Sequence, residues 1–191
     1  IADVASQVDI DSELDGYAQK RASNLYLPDQ TLHMLPPNLS SLCSLGESEK
    51  SSALSVGFKM IGCQISDIKI LQSEIRVVKM SYEEADKALK EDKLLSKLNV
   101  LAKSHKEFRN ENGAIKLDLP NVDVKIKNKK VDIQIQTDSE SRKLVAEMMV
   151  IAGRVISQYA TEKKISMPFL TQEVGSFSED IIQNKENLTA T

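Results

Sequence analysis

The residues best suited to chemistry are few, and their spacing excludes more than it supports. Asp11-Ser-Glu13-Leu-Asp15-Gly16 alternates carboxylates as the opening of a calcium loop does. Such a loop needs a bidentate acid at its twelfth position, where Ala22 stands, so the stretch reads as a solvated acidic turn. Cys43, Cys63, His33 and His105 do not have the spacing of a structural zinc site. No Gly-rich phosphate loop, Cys-x-x-Cys or His-Glu-x-x-His occurs, and no nucleophile motif surrounds Ser44 or His33. Lys125, Lys127, Lys129 and Lys130 crowd ammonium groups at one hairpin tip, which could hold phosphates. Alternating lysines also protect an exposed edge, and no aromatic is interleaved to stack bases, so a solvated face is the better reading. Lys97, Lys103, Lys106 and Arg109 carry the same two readings.

The elements that must position these groups follow from periodicity. Leu14 to Ala22 has helical spacing, whereas Pro28 and Pro36–Pro37 break Tyr26 to Pro37 into ordered loop with short strand pieces. Ala53–Ile61 and Gln64–Lys79 read as a hairpin turning near Gly62. Ser81-Tyr-Glu-Glu84 has the spacing of a capping box, opening a helix that Ala85, Leu89, Leu94, Leu95, Leu98 and Ala102 carry to Phe108. Val122, Val124, Ile126 and Val131, Ile133, Ile135 alternate about Asn128-Lys129 as a second hairpin. Ser139 to Lys164 is the strongest helix, with a stripe of Leu144, Met148, Ala152, Val155 and Tyr159, widened by Val145, Met149 and Ile156 and stopped by Pro168. The expected fold is α+β: a mixed, mostly antiparallel sheet packed by two long helices.

The chain has 191 residues, 41% of them hydrophobic, with a formal net charge of −3. A globally basic nucleic-acid binder is excluded, though a local basic groove is not. No apolar run approaches the ~18–20 residues needed to span a bilayer, so no membrane association is expected. Two cysteines suggest reduced thiols in an intracellular compartment, cytoplasmic or mitochondrial. Ile1 opens the chain without a methionine, and the first residues look like the end of a strand, as in a piece of a longer protein. Spacing alone leads no further than a soluble α+β domain.

The words of the sequence, taken in order, lead further. Ile1-Ala-Asp-Val4, Leu14-Asp15 with Ala18, Arg21-Ala-Ser-Asn-Leu-Tyr-Leu-Pro28, Met34-Leu-Pro36 and Leu42-Cys-Ser-Leu45 follow at close intervals. Lys79-Met-Ser-Tyr82 and Val145-Ala-Glu-Met-Met-Val-Ile-Ala152 come after them. This order resembles the catalytic (RNB) domain of the ribonuclease II family, with its nearer likeness to fungal mitochondrial and related eukaryotic members. The resemblance runs from Ile1 to Phe169. It implies a partial RNB catalytic domain over 1–174; the Asn/Ser/Thr-rich composition of 175–191 reads as a polar, flexible tail.

The resemblance also implies an activity: processive, magnesium-dependent 3′→5′ hydrolysis of single-stranded RNA to nucleoside monophosphates. A helicase or degradation complex is the kind of partner such an enzyme would meet, although no residue here points to one. Tyr26 matches the family's tyrosine that stacks on the terminal base, and its structural alternative is packing against the following Leu-Pro. Tyr82 matches a tyrosine near the ribose end that is associated with preference for RNA, and its alternative is a first-turn residue packed on the sheet. Glu147 falls where the family often has two adjacent acids, with Ala146 replacing the first. On the apolar side of a helix it must meet a basic partner or face the RNA channel.

Asp3 belongs to the Ile-Ala-Asp word near the acidic site, and a bond to a neighbouring loop is as good a reading as a metal role. Where members carry a second stacking aromatic, this sequence offers Lys116 and Leu117. The family's metal-binding aspartates lie before the Ile-Ala-Asp word and its catalytic arginine well after the long helix. No catalytic or metal-binding residue is therefore expected within this chain, nor bound metal or magnesium-dependent hydrolysis by the chain alone. Three readings stay open: a segment of an active exoribonuclease, a noncatalytic RNA- or partner-binding relative, and a structural module without RNA contact.

Overall fold

A computed structural model describes residues 1–114, 122–127, 130–135 and 139–170. The elements run α1 (Glu13–Arg21), β1 (Leu25–Tyr26), β2 (Thr31–Leu32), α2 (Pro37–Cys43), β3 (Ser51–Ile61) and β4 (Gln64–Ile75). They continue with α3 (Tyr82–Glu91), α4 (Lys93–Glu111), β5 (Val122–Lys127), β6 (Lys130–Ile135) and α5 (Glu140–Lys163). Among the described residues every strand pair is antiparallel: β1–β2, β3–β4 and β5–β6 each form a two-stranded ribbon. The fold is α+β, as the sequence predicts.

The β3–β4 ribbon is the long one. Gly62, with a φ of 58°, supplies the left-handed turn that a tight hairpin requires. Asp67 is also left-handed, and there the register shifts so that Gly57 pairs with Lys69 but Lys59 with Ser66. The first residues pair with β3 through an isolated bridge rather than as a strand. Ala2 bridges Ala53, the Asp3 N–H donates to the Ser52 carbonyl at 3.2 Å, and the Leu54 N–H to Ile1 at 2.8 Å.

The predicted single helix from Ser81 to Phe108 is two helices. The Asp92 N–H closes α3 on the Ala88 carbonyl, while its side chain accepts from the Leu94 and Leu95 N–H groups to open α4. A short carboxylate that competes for backbone donors ends one helix and starts the next, which the apolar periodicity running through it conceals. Three helices therefore pack together rather than two. Helix α2 was not foreseen: Pro37 stands at its first position, where proline's missing N–H does no harm.

Leu89 of α3, Ala102 of α4 and Leu144 of α5 form the helical core, with Leu95, Leu98 and Met148 against them. Farther along α5, Ile151 and Val155 are fully buried, and the helix rests on β3–β4. The buried face of α5 is rotated from the predicted stripe. Met149 is 71% exposed and Val145 is exposed too, while Glu147 and Ile151 are inside. Helix α5 also ends before Pro168 acts: Lys164 turns left-handed and the Ile165 N–H reaches the Ala160 carbonyl at 2.8 Å. Lys116, Leu117, the Asn128-Lys129 turn and the 175–191 tail lie outside the described residues.

Candidate functional site

Tyr26 sits on the β1–β2 ribbon, which closes through the Leu27 N–H on the Gln30 carbonyl at 2.8 Å. Asn24 braces the ribbon by accepting from the Met34 N–H at 2.7 Å. Tyr26 is 75% exposed, which leaves little of it to pack on Leu27 and Pro28. Among the described residues its hydroxyl meets only the Asn24 amide, at 3.5 Å, and neither face carries a cation or a second ring. An open aromatic face on a braced ribbon can stack on a planar ligand.

Tyr82 is differently placed. It is the first residue of α3, after the N-cap Ser81, whose capping box with Glu84 is complete. Its carbonyl accepts from the Ser141 hydroxyl at 3.0 Å. One turn on, Asp86 accepts from the Ser141 N–H at 2.8 Å and the Ser139 hydroxyl at 3.1 Å. The backbone bond from Ser141, with its hydroxyl and that of Ser139, holds the Asp86 carboxyl below its ordinary value despite some desolvation. The first turns of α3 and α5 are thereby fastened together. The Arg142 guanidinium lies over the Tyr82 ring at 4.0 Å from its centroid.

Glu147 lies six residues beyond Ser141 on α5 and meets a basic partner. One carboxylate oxygen accepts from His105 Nδ1 at 2.6 Å and Arg109 Nε at 2.9 Å, and the other from Arg109 Nη2 at 2.7 Å. On the far side of the imidazole, Arg154 Nη1 lies 3.2 Å from His105 Nε2. A guanidinium can only donate, so Nε2 accepts and Nδ1 carries the proton given to Glu147. Burial pushes the Glu147 carboxyl up, but the Arg109 and His105 bonds outweigh it and hold it below the ordinary carboxylate range. The Arg109 guanidinium is held above its ordinary value, first by that bond. Glu147 floors a small cavity of about 180 Å³ with Lys103, Lys106 and Lys143 around it.

Asp3 bonds its own loop and the neighbouring strand: one oxygen accepts from the Ser6 N–H at 3.2 Å and the other from Gln72 Nε2 at 3.3 Å. Among the described residues no group of three or more His, Cys, Asp or Glu could hold a metal ion. The residues described do not fit a two-metal site. Tyr82 and Glu147 share the α3–α4–α5 junction, whereas Tyr26 stands on β1–β2 and Asp3 on the loop beside β3–β4, with no bond or ring contact joining Tyr26 to Tyr82 or Glu147. His105, Arg142 and Arg154 were missed in the sequence. For His105 the signal was present: it falls on the same helical face as Leu98 and Ala102, four residues before Arg109.

The RNB domain family model matches residues 1–189. The chain belongs to the RNB family. Ribonuclease R of Chlamydia pneumoniae is 32% identical, over all of this chain and 29% of its own length. The mitochondrial exoribonuclease II of Saccharomyces cerevisiae is 28% identical over 84% of this chain and 20% of its length. The nearer likeness to fungal mitochondrial members expected from the sequence is corrected: the bacterial ribonuclease R is more similar to this chain than the yeast mitochondrial enzyme, 32% against 28% identical. Mycoplasma genitalium RNase R, solved with ribose-methylated single-stranded RNA, has the same fold: its TM-score is 0.80 at 24% identity, over 91% of this chain and 29% of that one. This RNB chain thus spans less than a third of the length of these relatives. Among its described residues no helix is long and apolar enough to cross a membrane.

Proposed function

We propose that the protein degrades single-stranded RNA from the 3′ end, processively and to nucleoside monophosphates, and that this chain supplies part of the surface that holds the strand. Membership of the RNB family over residues 1–189 supports the reaction class. The open ring of Tyr26 carries the assignment to this chain. A face without hydrogen-bond readout serves every base alike, as sequence-blind digestion requires. Tyr82, at the α3–α5 junction, lies at the ribose end of the strand. Any magnesium used by the reaction is held by groups other than the described residues.

The test is Tyr26→Ala in the full-length protein, assayed with a labelled single-stranded RNA. Binding is expected to weaken by about 1–3 kcal/mol, with Tyr26→Phe close to wild type. Unchanged affinity of Tyr26→Ala overturns the base-platform assignment. The same assay addresses a second reading, favoured by Ala146 standing where the family often has an acid. A noncatalytic RNA-binding relative would bind the strand and release no nucleotide.

A further inference from the structure

Tyr26 and Tyr82 present their rings in opposite ways. Tyr26 is 75% exposed with no cation or ring on either face among the described residues, whereas Tyr82 has one face covered by Arg142 at 4.0 Å and is 40% exposed. Among the described residues the Arg142 guanidinium has no carboxylate partner, and it lies on the Tyr82 ring. Its backbone N–H donates to the Ser139 hydroxyl, in the same α5 turn that grips α3 through Asp86 and the Tyr82 carbonyl. Backbone and ring of Tyr82 are thus both fixed from α5. A phenol held on one face cannot slide between bases, but its hydroxyl edge can donate to and accept from a ribose 2′-hydroxyl.

We propose that Arg142 is a positioning residue for Tyr82: its guanidinium, laid on one face of the ring, turns the phenol edge-on so that the hydroxyl reads the ribose of the bound strand. This rests on the reading that Tyr82 lies at the ribose end. Arg142 therefore acts through Tyr82 and contributes to the preference for RNA over DNA, not to affinity for nucleic acid in general. A cation on an aromatic face is suited to this, because it restrains the ring's rotation while leaving its polar edge free.

The experiment measures dissociation constants of the full-length protein, with EDTA present, for a single-stranded oligoribonucleotide and its 2′-deoxy counterpart. Tyr82→Ala is expected to lower the ratio that defines RNA preference. Arg142→Met, which keeps the apolar stem, is expected to lower it about 2- to 5-fold, while Arg142→Lys retains most of it. In the Tyr82→Ala background Arg142→Met is expected to change nothing further. Two outcomes overturn the inference alone: an unchanged ratio in Arg142→Met where Tyr82→Ala has lost it, or equal weakening of RNA and DNA that adds to the Tyr82→Ala effect. An unchanged ratio in Tyr82→Ala overturns the reading beneath it, and the inference with it.

Discussion

At the scale of single residues, the carboxylate of Glu147 decides how α4 and α5 meet. Buried ion pairs are poor stabilisers relative to an apolar replacement, but removing one partner strands the other. Glu147→Ala would leave Arg109 unpaired and the His105 Nδ1–H without an acceptor, at a cost of about 3–5 kcal/mol. The pH dependence has a definite sign. Because the folded carboxyl lies below its ordinary 4.5, its stabilisation is complete above that value and is lost as pH falls through the folded one. The gap in melting temperature between wild type and Glu147→Gln should therefore narrow on going from about pH 7 to about pH 3. A gap that stays constant would assign the effect to packing instead.

At the scale of elements, Asp92 sets the helix-to-helix corner. Asp92→Ala removes the acceptor for two N–H groups at the start of α4 and should cost about 1 kcal/mol in chemical denaturation, with Asp92→Asn much nearer wild type. An Asp92→Ala midpoint equal to wild type would show that tertiary packing alone holds the corner. Local signals of this kind were legible where side chain and backbone cooperate over a few residues: the Ser81–Glu84 box, the Gly62 turn, the Ser139 cap. They failed where local and tertiary demands compete. Hydrophobicity places Val145 and Met149 inside, but α5 turns Glu147 inward because α4 offers it Arg109 and His105. That match depends on residues about forty positions apart, which no local periodicity records. Tyr26 and Tyr82 were singled out through the order of family words, while Arg142 had no signal of its own.

At the scale of the whole molecule, much apolar surface faces outward. Val124 pairs with Ile133 and Ile126 with Val131 across β5–β6, so all four share one face, and all are exposed. Met149 and Val145 expose a second strip on α5. Faces of this kind associate or bind apolar probes. The 191-residue chain expressed alone is expected to bind a hydrophobic-surface dye, and Val131→Thr with Ile133→Thr to reduce that binding without lowering the melting temperature. Dye binding unaltered by the pair of changes would place the open surface elsewhere.

The α4–α5 lock also imposes an order on biosynthesis. His105 and Arg109 leave the ribosome 42 and 38 residues ahead of Glu147. At translation rates of about 5–20 residues per second, that is a wait of roughly 2–8 s. Through that interval, among the described elements, α4 has α3 to pack on, and its cation and imidazole stay in water, where they need no counter-charge. The polar centre of the junction thus keeps the waiting face of α4 soluble and delays the sealing of the helix bundle until α5 is made.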